Sequence, residues 1–174
     1  MSHQPKPTNT ERFFAADDII VSKTDLEGRI TYANSVFCEV AGYTEAELMG
    51  LPHSVVRHPD MPRAVFKFLW DRIAEGHEVF AYVKNMAKNG DYYWVLAHVT
   101  PSFDAAGKII GFHSNRRVPD PAIVKNAIAP LYAQILREEQ SHRNGKDALA
   151  AGLQYLVDFV NSRKMSYDEL VFSL

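Results

Sequence analysis

A single cysteine, Cys38, in 174 residues excludes an internal disulfide and fits a reducing compartment. No apolar run reaches the ~18 residues that a membrane span requires. The first residues, Met1 to Asn9, are polar and contain proline, which excludes a signal peptide. Neither sign of charge prevails: 19 Lys+Arg stand against 21 Asp+Glu, net -2, so the strongly basic face that captures nucleic acid is missing. There is no internal repeat, no low-complexity segment and no H-E-x-x-H metal signature. These absences predict a soluble, cytoplasmic protein with no nucleic-acid partner and no direct membrane insertion. At 47% hydrophobic, the chain is long enough for one substantial core, or for one domain with an appendage.

The most informative stretch is Pro52 to Pro62, P-H-S-V-V-R-H-P-D-M-P. Each proline fixes its own φ and pushes the preceding residue out of the helical region. The segment predicts a stiff, irregular loop holding His53, Arg57, His58 and Asp60 in set places. Rigid loops with clustered charge bind ligands more often than plain connectors do; a solvated linker rich in turns is the competing reading.

Around that loop the chain alternates between two periods. Ile19 to Ser22 and Arg29 to Tyr32 read as strands joined by a turn at Asp25–Gly28. Asn34 suits the N-cap of a helix carrying Val36, Phe37, Val40 and Ala41, with Gly42 ending it. Thr44 to Glu47 has capping-box spacing. Pro62 suits a first helical position, followed by Val65, Phe66, Leu69, Trp70 and Ile73 at helical spacing. Val79–Ala87 and Tyr92–Phe103 flank Asn89-Gly90, a strong hairpin signal, and a turn at Asp104–Gly107 leads into a strand within Lys108–Val118. Helical spacing returns from Ile123 to Leu136, with a kink or restart expected at Pro130, and again from Leu149 to Val160. Ser166 to Glu169 is a second capping box. The order β-β-α-α-α-β-β-β predicts an α+β fold: a flexible segment 1–13, a domain over 14–118 and a helical extension over 119–174.

Strand alternation puts Val79, Ala81, Val83 and Asn85 on one face of the hairpin, with Tyr93, Val95, Ala97 and Val99. If this small-residue face meets the helices, it leaves a hollow that a flat ligand fills, with Asn85 able to donate and accept at a heterocycle edge. The alternative is that Phe37, Phe66 and Leu69 fill the gap. The opposite face carries Phe80, Tyr82, Tyr92, Trp94 and Leu96, an apolar patch that calls for a cover, either the helical tail or a second subunit.

Several pieces together carry a family resemblance: T-D-L (Thr24–Leu26), I-T-Y-A-N (Ile30–Asn34), A-G-Y-T-E-A-E-L (Ala41–Leu48), V-R-H-P-D-M-P (Val56–Pro62), V-K-N (Val83–Asn85) and K-N-G-D-Y-Y-W-V (Lys88–Val95). The chain resembles a PAS domain, specifically the FAD-binding PAS domain of bacterial aerotaxis receptors, with V-R-H-P-D-M-P the most specific part. The resemblance implies a five-stranded antiparallel sheet with short helices over one face, enclosing a cofactor cavity. It implies FAD as cofactor and a non-enzymatic sensor that passes redox or oxygen status to a signalling partner, such as a chemotaxis transducer, with a homodimer as the working unit. The matching cofactor-binding residues are Asn34, His53, Arg57, His58, Asp60 and Asn85. His113 stands about where flavin sensors place a polar group near the ring.

Two departures accompany the resemblance. The family often has G-E-P-W where this chain has Gly76-His77-Glu78-Val79. Aerotaxis receptors also continue into a membrane anchor and a signalling domain, where this chain carries two or three helices, which implies a free-standing sensor. Related photoreceptors need a cysteine where His53 stands, and Cys38 falls on a helix instead. A haem-binding or cofactor-free PAS module acting in protein interaction is the alternative function.

Overall fold

The computed structural model describes residues 5–174. Five strands, β1 (Ile20–Thr24), β2 (Ile30–Ala33), β3 (Val79–Met86), β4 (Tyr92–Phe103) and β5 (Ile109–Arg117), form one sheet in the order β2-β1-β5-β4-β3. Their pairings are antiparallel. The connection from β2 to β3 must therefore cross the whole sheet, and it carries the helices over one face. These are α1 (Ser35–Ala41), α2 (Glu45–Leu48), a 3-10 turn (His53–Val56) and α3 (Arg63–Ala74).

Local sequence chemistry fixes most of these elements. Asn34 caps α1 by accepting from the Phe37 N–H, and Thr44 and Glu47 form the capping box of α2. The Pro52–Pro62 loop, expected to be irregular, is not wholly so: Pro52 precedes the 3-10 turn. The loop is tied to β3 by a backbone bridge between Arg57 and Asn85, by Lys84 N–H on Met61 Sδ (3.2 Å) and by Lys84 Nζ on Asp60 (2.7 Å).

Pro62 stands one position earlier than its sequence suggests. It is the N-cap of α3 and offers no side-chain cap. The buried Glu139 carboxylate takes that role from the C-terminal extension, accepting from Arg63 N–H (3.1 Å) and Ala64 N–H (2.8 Å).

That extension consists of α4 (Pro121–Ile123), a π-helical turn (Val124–Ile128), α5 (Ala129–Gln140), α6 (Gly145–Ser162) and α7 (Tyr167–Ser173). The disturbance expected at Pro130 takes the form of the π turn just before it. Pro130 has no N–H to return to the Asn126 carbonyl, and its ring crowds that oxygen. Helix α6 packs on α3, and α7 reaches β3. Gly152 lets α6 pass close to both α5 and α3, since a Cβ there would stand 2.8 Å from Glu139 Cγ and Oε1 and 3.1 Å from Ala64 Cβ.

The aromatic outer face of the hairpin is covered by this same extension. Tyr132 Oη donates to the Tyr82 carbonyl (2.6 Å), Trp94 packs against Tyr132, and Phe80 meets Phe172 edge-on. Of the two covers that the sequence leaves open, the chain's own tail supplies one. Residues 8–12, within the segment 1–13 expected to be flexible, run beside the hairpin: Thr8 N–H donates to Gly90 and Arg12 N–H to Tyr92. Residues 1–4 of that segment lie outside the described residues. Among the described residues no helix is long and apolar enough to cross a membrane.

Candidate functional site

Between the helical layer and the sheet lies a cavity of about 320 Å³. Its floor comes from alternate positions of four strands: Ser22 and Thr24 on β1, Val83 and Asn85 on β3, Ala97 and Val99 on β4, Ser114 and Arg116 on β5. These positions face one another across the ladder, with Val99 opposite Ser114 and Ala97 opposite Arg116. The helix side supplies Phe66, Leu69, Trp70 and Ile73 from α3, and His53 and Arg57 from the proline-rich loop. Phe66 and Leu69 thus form walls and do not plug the hollow. Trp70 stands edge-on to Phe112 at 5.4 Å. Gly28, at φ +77°, lets the β1–β2 turn close against it, because a Cβ there would meet the indole at 3.0 Å.

Four of the seven residues singled out from the sequence line this cavity: His53, Arg57, Asn85 and His113. The other three do not. Asn34 is occupied structurally: its Oδ1 accepts from Val21 and Phe37 N–H, and its Nδ2 donates to the Ile19 carbonyl. His58 is buried behind the loop, its Nδ1 accepting from Asp60 N–H (3.1 Å), with Tyr92 edge-on at 6.1 Å. Asp60 pairs with Lys84. Asp60 thus ties the loop to β3 and His58 packs against Tyr92 of β4, beside the bridge that sets Arg57 and Asn85 in the wall.

The cavity lining carries two arginines, Arg57 and Arg116, against one carboxylate, Glu27. Burial drives the His53 pKa down to about 3, with Arg116 adding to the effect, so His53 is neutral at physiological pH. It cannot act as a charged clasp. Its Nε2 instead lies 3.0 Å from Ser22 Oγ and 3.3 Å from Arg116 Nη1, which makes it an acceptor. Burial and then Lys84 lower His58, with Asp60 opposing them. Partial burial works against the Asp60 carboxylate, yet Lys84 holds it below its ordinary range. Burial also lowers His113, followed by Lys23. Arg57 is half-buried, its guanidinium 3.9 Å over the Phe66 ring. No carboxylate of the described residues pairs with Arg57 or Arg116. Burial pushes the Tyr93 hydroxyl up, with Arg116 pulling the other way.

Arg116, Ser22 and Trp70 were not among the site residues legible in the sequence. The signal for Arg116 was its parity on β5, the same as Phe112 and Ser114.

A family model described as the PAS fold matches residues 30–116. The chain belongs to the PAS fold family. Over 144 residues it is 43% identical to the aerotaxis receptor of Escherichia coli (strain K12), covering 82% of this chain and 28% of the receptor. Over 91 residues it is 28% identical to the nitrogen fixation regulatory protein of Klebsiella pneumoniae, covering 52% and 18% respectively. The chain therefore spans less than a third of the length of these curated relatives. Among solved structures, a light-oxygen-voltage domain studied with a flavin analogue superposes with a TM-score of 0.56 at 17% identity, covering 71% of this chain and 87% of that one. That likeness is one of fold. In this PAS domain the cavity wall holds no cysteine, and Cys38 sits on α1.

Proposed function

We propose that this PAS domain binds FAD in the cavity and passes the oxidation state of the flavin to a signalling partner as a conformational change. The carrying observation is a preformed hollow floored by Val83, Ala97 and Val99, with an unpaired, half-buried guanidinium, Arg57, in its wall. Core positions are normally close-packed, so a persistent void of this kind fits a planar ligand. At about 320 Å³ it lies at the small end of the ~300–1,000 Å³ range of ligand sites. It suits a ring system, with the rest of a dinucleotide emerging near the loop. Arg57 offers bidentate donors suited to a pyrophosphate. The resemblance of the chain to the FAD-binding PAS domain of aerotaxis receptors supports the same ligand class.

A bound flavin supplies a ring whose charge and hydrogen-bonding edge change with oxidation state. The chain's own part is to sense that edge. The Asn85 amide can donate or accept there, and reversing it acts on β3. The outer side of β3 is held by the extension, through the Tyr132 hydroxyl on the Tyr82 carbonyl and Phe172 on Phe80. A shift in β3 therefore reaches α5 and α7, which form the output surface. The haem alternative would take His58 or His113 as axial ligand; His58 lies outside the cavity lining, which leaves His113.

Titration with FAD, FMN and riboflavin tests the reading. FAD is expected to bind most tightly. Arg57→Gln is expected to lower FAD affinity by roughly 10- to 100-fold, the ~1.5–3 kcal/mol of a charge-assisted hydrogen bond, while leaving riboflavin binding unchanged. Equal affinities for the three flavins, or an Arg57→Gln variant with wild-type FAD affinity, would contradict it.

A further inference from the structure

The cavity holds a buried charge, Arg116, with which no carboxylate of the described residues pairs, Glu27 of the same lining included. Arg116 is 2% exposed. It donates from Nη2 to Ser22 Oγ (2.5 Å) and from Nη1 to His53 Nε2 (3.3 Å), while its Nε–H has no partner. Both side chains that it touches are neutral. The Phe37 ring, 4.4 Å from the guanidinium, offers only the weak compensation of an aromatic face. Removing an unpaired charge from water is strongly unfavourable. A guanidinium in this position is accounted for when something entering the cavity supplies the missing negative charge.

We propose that Arg116 forms an anion subsite at the inner end of the cavity, where the bound small molecule presents a negatively charged or negatively polarised edge. The proposal rests on reading the cavity as a small-molecule site, and it deepens the flavin reading. A flavin there would, on two-electron reduction by an external donor such as dithionite with uptake of one solvent proton, carry a negative charge on its pyrimidine edge. The subsite therefore holds the reduced, anionic flavin more tightly than the oxidised, neutral one. Arg57 and Arg116 divide the work, the first at the half-buried wall and the second at depth.

The test uses the full chain with Arg116→Met and Arg116→Lys. Each protein is melted without ligand. Each is then titrated anaerobically with FAD, either oxidised or after reduction by dithionite. The ligand-free Met variant is expected to melt at or above the wild-type temperature. It exchanges an unpaired charge for an apolar side chain of similar length, and Ser22 and His53 remain bonded to each other at 3.0 Å. Its affinity for reduced FAD is expected to fall on the order of tenfold further than for oxidised FAD, the size of a lost charge-assisted contact, with Lys restoring part of the difference. A Met variant that melts well below wild type and loses both forms equally would make Arg116 a structural residue and overturn the proposal. If wild type binds FAD and the Met variant keeps the wild-type ratio, the subsite fails and the flavin reading stands. If wild type takes up no flavin while the Met variant melts higher, the flavin reading fails and the subsite remains, for a different anionic ligand.

Discussion

Ala97→Phe is expected to abolish flavin uptake while leaving the fold almost as stable as before. Ala97 is buried on the cavity floor between Val83, Val99 and Arg116. A benzyl group there extends into the hollow that the ring needs. The expected loss of affinity is roughly 100-fold or more, about 2.8 kcal/mol. Overpacking a filled core costs about 1–3 kcal/mol, but here the added ring enters empty volume. Ala81→Phe is the informative contrast. Ala81 pairs with Ala97 across the hairpin and is equally buried, but it does not line the cavity. Its variant is expected to lose that full overpacking cost and to melt lower. Differential scanning calorimetry and an FAD titration on the two proteins decide the matter. An Ala97→Phe variant that still binds FAD with wild-type affinity would place the ligand elsewhere.

Glu139→Ala is expected to be the most destabilising single change in the extension. Glu139 accepts from two backbone N–H groups at the start of α3, and Pro62 provides no side-chain alternative. Removing the carboxylate leaves buried donors unsatisfied, at a cost of about 2 kcal/mol or more. For a chain of this length that lowers Tm by roughly 4–8 °C. Because α3 carries Phe66, Leu69 and Trp70 into the cavity wall, weaker flavin binding should accompany the loss. A Glu139→Ala variant with wild-type Tm would show that the extension does not brace α3. The same contacts mean that removing residues 119–174 uncovers the aromatic face and uncaps α3 together. Point variants therefore separate signalling from stability better than truncation does.

Much of this architecture was legible because it is local. Asn34, Thr44 and Ser166 announce their helices through the hydroxyl or amide that caps them, and each does so in the structure. The hairpin at Asn89-Gly90 and the small-residue face of Val79, Ala81, Val83 and Ala97 follow from turn chemistry and strand alternation. Relations between distant residues were not legible. Ser22 meets Arg116 across 94 positions of sequence, and Glu139 meets Ala64 across 75. No periodicity encodes either encounter. The proline-rich loop shows both sides of this. Its stiffness and charge marked it as part of a site, but which side chains turn inward depended on β3. Asn85 bridges Arg57 there, Lys84 draws Asp60 to itself, and His58 is buried behind the loop. Asn34, which matches a binding pattern, anchors α1 to β1 and lies outside the cavity lining.

The most direct test of the central claim is the visible absorption spectrum of the protein after incubation with FAD and removal of unbound ligand by desalting. The two visible bands of oxidised flavin are expected to travel with the protein, near one flavin per chain, and to bleach on reduction. A colourless protein with all the FAD in the small-molecule fraction, or a protein that emerges carrying a Soret band, would contradict that claim.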